Sequence, residues 1–321
     1  MRHTNLFILL AFISLVFTTC KEDIDTFIVE EETLLTRGNI VNFFSEIHPG
    51  TAIHLFNGSE STTIVTPRRT NIQIPPNAFV DDSGAVVTGP IQFELIEIYE
   101  KGDMIKFNRP TSSDGRPLTS SGALYLQANQ GSKVLSLSPN AEIQIYIESA
   151  VINPKMELFY GDDSDPSGFN WIEADGNPQS WENVNSTSWD NPDGTIGMGY
   201  GFSITQLNWI NCDAFVEINP DELTALCVEL PELYTNKNSV VFITFDDWNG
   251  VMPLHGSPDS KQFCEIGLPV GATVKLLVIS EQGTDNYHFT NHSLTITEDQ
   301  TEIMEPIPTT LESIVEVLDE L

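Results

Sequence analysis

The sequence predicts an all-β protein: two β-sandwich-like domains, a long loop rich in Asp, Asn and Trp, and a short C-terminal helix. Three observations predict it. Apolar and polar residues alternate through 91–99, and Ile143, Ile145 and Ile147 repeat the period, as strands with one buried face require. Such runs are short and are stopped by turn residues such as Asn57-Gly58 and Pro75-Pro76. Finally, 40% of the 321 residues are hydrophobic, enough for a sizeable core despite a formal charge of −32.

Taken in order, residues 1–19 have the form of a secretory signal. Arg2 and His3 precede an apolar run over 6–17, which is too short to span a bilayer comfortably. Thr18 and Thr19 then lead to Cys20, a pattern that resembles a bacterial lipoprotein signal; the resemblance implies cleavage before Cys20 and acylation of that residue, the alternative being a signal cut elsewhere with Cys20 incidental. Several acyl chains on one residue suffice for firm anchoring in a membrane. Residues 20–38 read as a lipidated acidic tether, in which Lys21, Glu22 and Asp23 resemble the export signal of surface-exposed lipoproteins of Bacteroidota, or form a solvated charged linker. The expected location is the outer membrane, lipid-anchored and facing the cell exterior.

The first sandwich is expected over 39–220. Its strands are read at 53–56, 62–65, 72–74, 91–99 and 143–147, and resume near 201–204. Residues 161–199 break the pattern with Asp, Asn, Gly, Pro and Ser, and read as a loop carrying Trp171, Trp181 and Trp189. A second small sandwich is expected over 221–307, with strands at 240–245, 273–279 and 292–296. In 308–321, Leu311, Ile314, Val315 and Leu318 recur at helical spacing, and Thr309 with Glu312 resembles a capping box.

Charge excludes some partners. With 46 acids against 14 Lys and Arg, the surface repels phosphate backbones and anionic head groups, which argues against nucleic acid and against plain lipid attraction. With Cys20 acylated, Cys212, Cys227 and Cys264 remain, and one disulfide plus one buried thiol is the simplest arrangement.

The string Ile72-Gln73-Ile74-Pro75-Pro76-Asn77-Ala78-Phe79 resembles the opening of the ZU-five β-sandwich of zonula occludens proteins, ankyrins and netrin receptors. Pro90-Ile91-Gln92-Phe93, Ser121-Gly122-Ala123-Leu124-Tyr125 and the string from Trp209 to Asp213 extend the pattern. Together they are similar to uncharacterised surface lipoproteins of Bacteroidota with such a domain, over roughly residues 70–215. The resemblance implies protein–protein contact and scaffolding, with no catalytic set.

Four constellations could carry chemistry. Trp171, Trp181 and Trp189, set among amides and carboxylates, would suit a platform for an extracellular glycan, or would each anchor a loop. Asp162-Asp163-Ser164-Asp165 and Asp190-Asn191-Pro192-Asp193-Gly194 offer oxygens to calcium but lack EF-hand spacing; solvated turns are the simpler reading, and no metal or cofactor is assigned. His288-Phe289-Thr290 resembles a self-cleaving tripeptide in which Thr290 would attack the Phe289 carbonyl, although Thr replaces the usual Ser. His288 and His292 lie four apart without a third ligand, which is weak ground for a metal. No Gly-x-Ser-x-Gly, His-Glu-x-x-His or phosphate loop occurs. The expected function is therefore a non-enzymatic surface scaffold or binding module for another outer-envelope protein. A glycan-binding or self-cleaving protein is the alternative.

Overall fold

Alternation of the kind seen at 91–99 builds two facing sheets. Sheet 1 runs β1 (Ala52–Asn57), β5 (Pro90–Ile98), β7 (Arg116–Gln130), β14 (Asn208–Phe215), β10 (Glu157–Asp162) and β11 (Asn170–Glu173). β4 (Phe79–Val80), β6 (Ser112–Ser113) and β8 (Lys133–Leu137) attach at its margins. Sheet 2 runs β12 (Asn185–Asp190), β13 (Ile196–Ile204), β9 (Ile143–Glu148), β3 (Asn71–Ile74) and β2 (Thr62–Val65). The computed structural model describes residues 38–164, 168–174, 183–257 and 262–321. Inward-facing Phe93, Leu95, Leu124 and Leu126 of sheet 1 meet Ile72, Ile145, Ile147 and Tyr200 of sheet 2, all essentially buried.

Sheet 3 runs β21 (Gln300–Ile303), β15 (Leu223–Glu229), β18 (Gln262–Pro269), β17 (Val251–Ser257), β16 (Ser239–Phe245), β19 (Thr273–Glu281), β20 (Tyr287–Thr295) and β22 (Ile307–Thr309). Its two halves share one core, in which Leu226, Val228 and Phe263 cluster with Ile243, Phe245, Leu276 and Val278. Cys227 and Cys264 lie opposite each other on β15 and β18 and are disulfide-bonded, while Cys212 is a buried thiol. Strands occupy 52% of the described residues and helices 10%, which fixes an all-β class with several sandwich-like layers.

A third cluster joins these parts. Ile96, Ile98 and Trp209 on the outer face of sheet 1 pack with Phe242, Leu277 and Ile279 of sheet 3 and with three helices. α1 (Ile40–Ile47) is a helix within the span expected to be all β, ahead of its first expected strand at 53–56; Asn39 caps it by accepting from the Val41 N–H, and Phe43 and Ile47 are its buried face. α2 (Lys101–Lys106) is a second unforeseen helix. It lies against α3 (Leu311–Asp319) so closely that a Cβ at Gly102 would sit 1.8 Å from the Leu318 carbonyl oxygen. The largely buried Lys106 pairs there with Asp319.

α3 is the expected C-terminal helix, with Ile314 and Leu318 buried, but its N-cap is Thr310 and not Thr309. Thr309 still belongs to β22, and the Thr310 hydroxyl accepts from the Ser313 N–H at 3.2 Å. Thr310→Ala is therefore expected to cost about 1 kcal/mol in a denaturant melt. Thr309→Ala should cost measurably less.

Candidate functional site

The β6–β7 hairpin stands between two surface clefts. Its turn, Asp114-Gly115, has φ of 50° and 74°, the left-handed pair a tight two-residue hairpin needs. β11 clamps this hairpin at two points. Asn170 and Asp114 exchange hydrogen bonds of 2.9 and 3.0 Å, and the Trp171 indole N–H donates to the Pro110 carbonyl at 2.8 Å.

A cleft of about 600 Å³ opens on one side of the hairpin, lined by Phe44, Asn108, Asn170, Phe169, His255 and Glu265 among others. His255 Nε2 lies 3.4 Å from Glu265 Oε2. Burial raises the Glu265 pKa above the usual carboxylate range, against the Ile266 N–H and the neighbouring imidazole, which lower it. Such a pair is half of an acid–base relay. The remaining lining, amides and aromatic rings, is recognition chemistry.

On the other side lies a groove of about 1020 Å³ along Arg116, Pro117, Lys155, Glu157, Phe215 and Glu217. The exposed Arg116 guanidinium stacks 3.6 Å from the Phe215 ring centroid. Lys155 and Glu217 pair across the groove. Near the first cleft Arg109 is held between Phe169 at 4.4 Å and Trp209 at 4.7 Å. Desolvation lowers its pKa, and its Nε is buried without a hydrogen-bond partner among the described residues. Arg109, Arg116, His255 and Glu265 were not singled out from sequence. The Asp114-Gly115 dipeptide, which was not read as a turn from sequence, marks the hairpin beside Arg109 and Arg116, whereas no local signal marks His255 or Glu265.

The expected tryptophan platform is corrected. Trp171 is 0% exposed and Trp189 is 7% exposed, so neither ring has a face for a sugar. Trp171 on β11 anchors the Pro110 backbone instead, and Trp189 on β12 donates to the Asn191 side-chain oxygen Oδ1 at 3.1 Å. Trp181 lies outside the described residues, as do Cys20, Lys21, Glu22, Asp23 and Asp165. The stretch expected to be a loop holds β11 and β12 and the first residues of β13.

The acidic strings bend on their own hydrogen bonds. Asp162 Oδ1 accepts from the Ser164 N–H at 2.8 Å. Asn191 Oδ1, an oxygen a cation would take, already accepts from Trp189 and from Asn71 Nδ2. Asp193 accepts from the Thr195 hydroxyl and N–H, bonds that lower its pKa. Among the described residues no group of three or more His, Cys, Asp or Glu is placed to hold a metal.

His288-Phe289-Thr290 lies in the regular strand β20, with Phe289 opposite Ile279 on one side and Ile307 on the other. The His288 ring is engaged by the Tyr234 hydroxyl at 2.7 Å. That contact occupies Nδ1 of the imidazole.

Fold and clefts define a class: an all-β protein built from stacked sheets, with open grooves around a clamped hairpin. No family model matches the chain, and no curated protein matches it. Among solved structures, the Bacillus anthracis TIE protein aligns with 82% of this chain at 7% identity and a TM-score of 0.21. The chain spans 42% of that protein's length, and a likeness this slight carries no argument.

Proposed function

We propose that this chain is a lipoprotein of the outer envelope, anchored through Cys20 and facing the cell exterior, that acts as a scaffold or protein-binding module. Lys21, Glu22 and Asp23 would direct its export to the surface. The observation that carries the binding part is the hairpin between two clefts, with Arg109 and Arg116 held on aromatic rings. Arginine and aromatic groups dominate the energetics of protein interfaces, and here their side chains are already ordered before a partner arrives. The ZU-five resemblance adds a second, weaker support, since those domains serve protein contacts.

Cross-linking of intact cells bearing the tagged chain tests the reading. One envelope protein should be captured consistently, and Arg116→Ala should lower its yield by about tenfold or more, as loss of an interface hot spot would. Capture of nothing specific, or capture that Arg116→Ala leaves unchanged, removes the scaffold reading.

A further inference from the structure

Among the described residues β1 ends sheet 1, and its pairing with β5 runs over six residues without a bulge. Edge strands are ordinarily protected from other chains by charge, proline, a bulge or brevity. The other terminal strands here carry such devices: Glu173 in β11, Asp190 in β12, Glu302 in β21 and Pro308 in β22, while β2 has four residues. β1, Ala-Ile-His-Leu-Phe-Asn, carries none of them. Phe56 packs inward at 6.2 Å from both Phe79 and Phe93, so the alternating Ile53 and Leu55 point outward. They are 58% and 76% exposed.

We propose that β1 is a self-association edge that pairs antiparallel with β1 of a second copy of this chain. The register supports a second copy as the occupant. A two-fold axis perpendicular to the sheet keeps each face on its own side, so opposed residues must share a face. Pairing centred on His54 places Ile53 opposite the partner's Leu55, and Leu55 opposite the partner's Ile53. Both exposed apolar side chains then bury against each other on one face, and sheet 1 continues across the axis. Moving the centre to Leu55 would set Ile53 against an asparagine.

Charge gives the contact a signature. Each copy carries −32, so the two repel at long range, while β1 itself contributes no charge to the contact. Screening shortens that repulsion from about 30 Å at 0.01 M salt to about 8 Å at 0.15 M. Self-association through β1 should therefore strengthen as salt rises, the reverse of an interface built on ion pairs.

Sedimentation of the full chain carrying Cys20→Ser, which takes no acyl chain, provides the test. A monomer–dimer equilibrium that tightens with salt is expected. Leu55→Lys should weaken it by about tenfold or more, with an unchanged melting temperature because Leu55 is exposed. Opposed Cα atoms in an antiparallel pair, about 4.5–5.5 Å apart, are within disulfide reach. Oxidising a mixture of Ile53→Cys and Leu55→Cys chains should therefore link them better than either alone. A monomer at every concentration and salt, or a dimer that Leu55→Lys leaves intact, overturns the proposal. Equal linking of either single variant by itself overturns the register.

Discussion

Trp171→Ala is expected to destabilise the protein by about 3–5 kcal/mol, the range for truncating a fully buried large aromatic residue. Trp171 is 0% exposed, and its ring meets Phe169 edge-on at a centroid distance of 4.8 Å. Truncation leaves a cavity and also strips the Pro110 carbonyl of the indole N–H that it accepts. For a chain of this size that loss corresponds to a fall of roughly 10 °C in melting temperature. Trp171→Phe separates the two contributions, because it keeps most of the apolar volume and removes only the donor, at about 1–3 kcal/mol. The same pair of variants tests the clamp on the hairpin. If Trp171 positions the β6–β7 turn, amide exchange at Asp114 and Gly115 should accelerate in Trp171→Ala beyond what global destabilisation accounts for. An unchanged melting temperature in Trp171→Ala would contradict the buried placement, since only a solvent-facing indole can be lost so cheaply.

Why the three tryptophans read as a loop platform is a matter of composition. The residues around them, Asp, Asn, Gly and Ser, are those of turns, and β12 is an edge strand whose residues are exposed apart from Trp189. One large buried side chain in a polar strand produces no period-2 signal. By contrast, β5, β9, β16 and β19 were legible because each buries an alternating or continuous apolar set against a sheet. α1 had local signals, the Asn39 cap and the Phe43–Ile47 spacing, but eight residues are too few for periodicity to outweigh strand-like β-branched and aromatic content. α2 had none. Its six residues are held by contacts 200 residues away in sequence, Gly102 against Leu318 and Lys106 with Asp319. The candidate site shows the same division. The Asp114-Gly115 turn is local and readable, whereas the stacking of Arg109 on Phe169 and Trp209 exists only once β11 and β14 are brought beside it.

Asp213→Asn is expected to change how stability depends on pH. Asp213 lies just past the bulge in β14, is 0% exposed, and accepts from Asn211 Nδ2 at one carboxyl oxygen. Its other oxygen has no hydrogen-bond partner among the described residues. Burial is the largest influence and drives the carboxyl pKa well above the usual carboxylate range, although hydrogen bonds from Ser120 and Asn211 act in the opposite direction. The folded protein therefore holds Asp213 protonated at pH values where the unfolded chain, with a pKa of about 3.9, has released that proton. Below about pH 4 both states are protonated and the group adds no pH dependence. As the pH rises toward the folded-state value, the unfolded state gains by about 1.4 kcal/mol per pH unit from this one proton. Asparagine has the same shape and no proton to release. The stability of Asp213→Asn relative to the native chain should thus climb with that slope above about pH 4 and level off once the folded-state pKa is passed. Urea melts of both proteins across this range measure the difference, in which the other titrating groups cancel as long as they lie far from the substitution. Parallel pH profiles would mean that the carboxyl is ionised in the fold and that a cation or water satisfies its second oxygen. A rising difference would mean that sheet 1 tolerates a buried acid only by keeping it neutral, so that the Trp209–Asp213 string strains this β-sandwich most at alkaline pH.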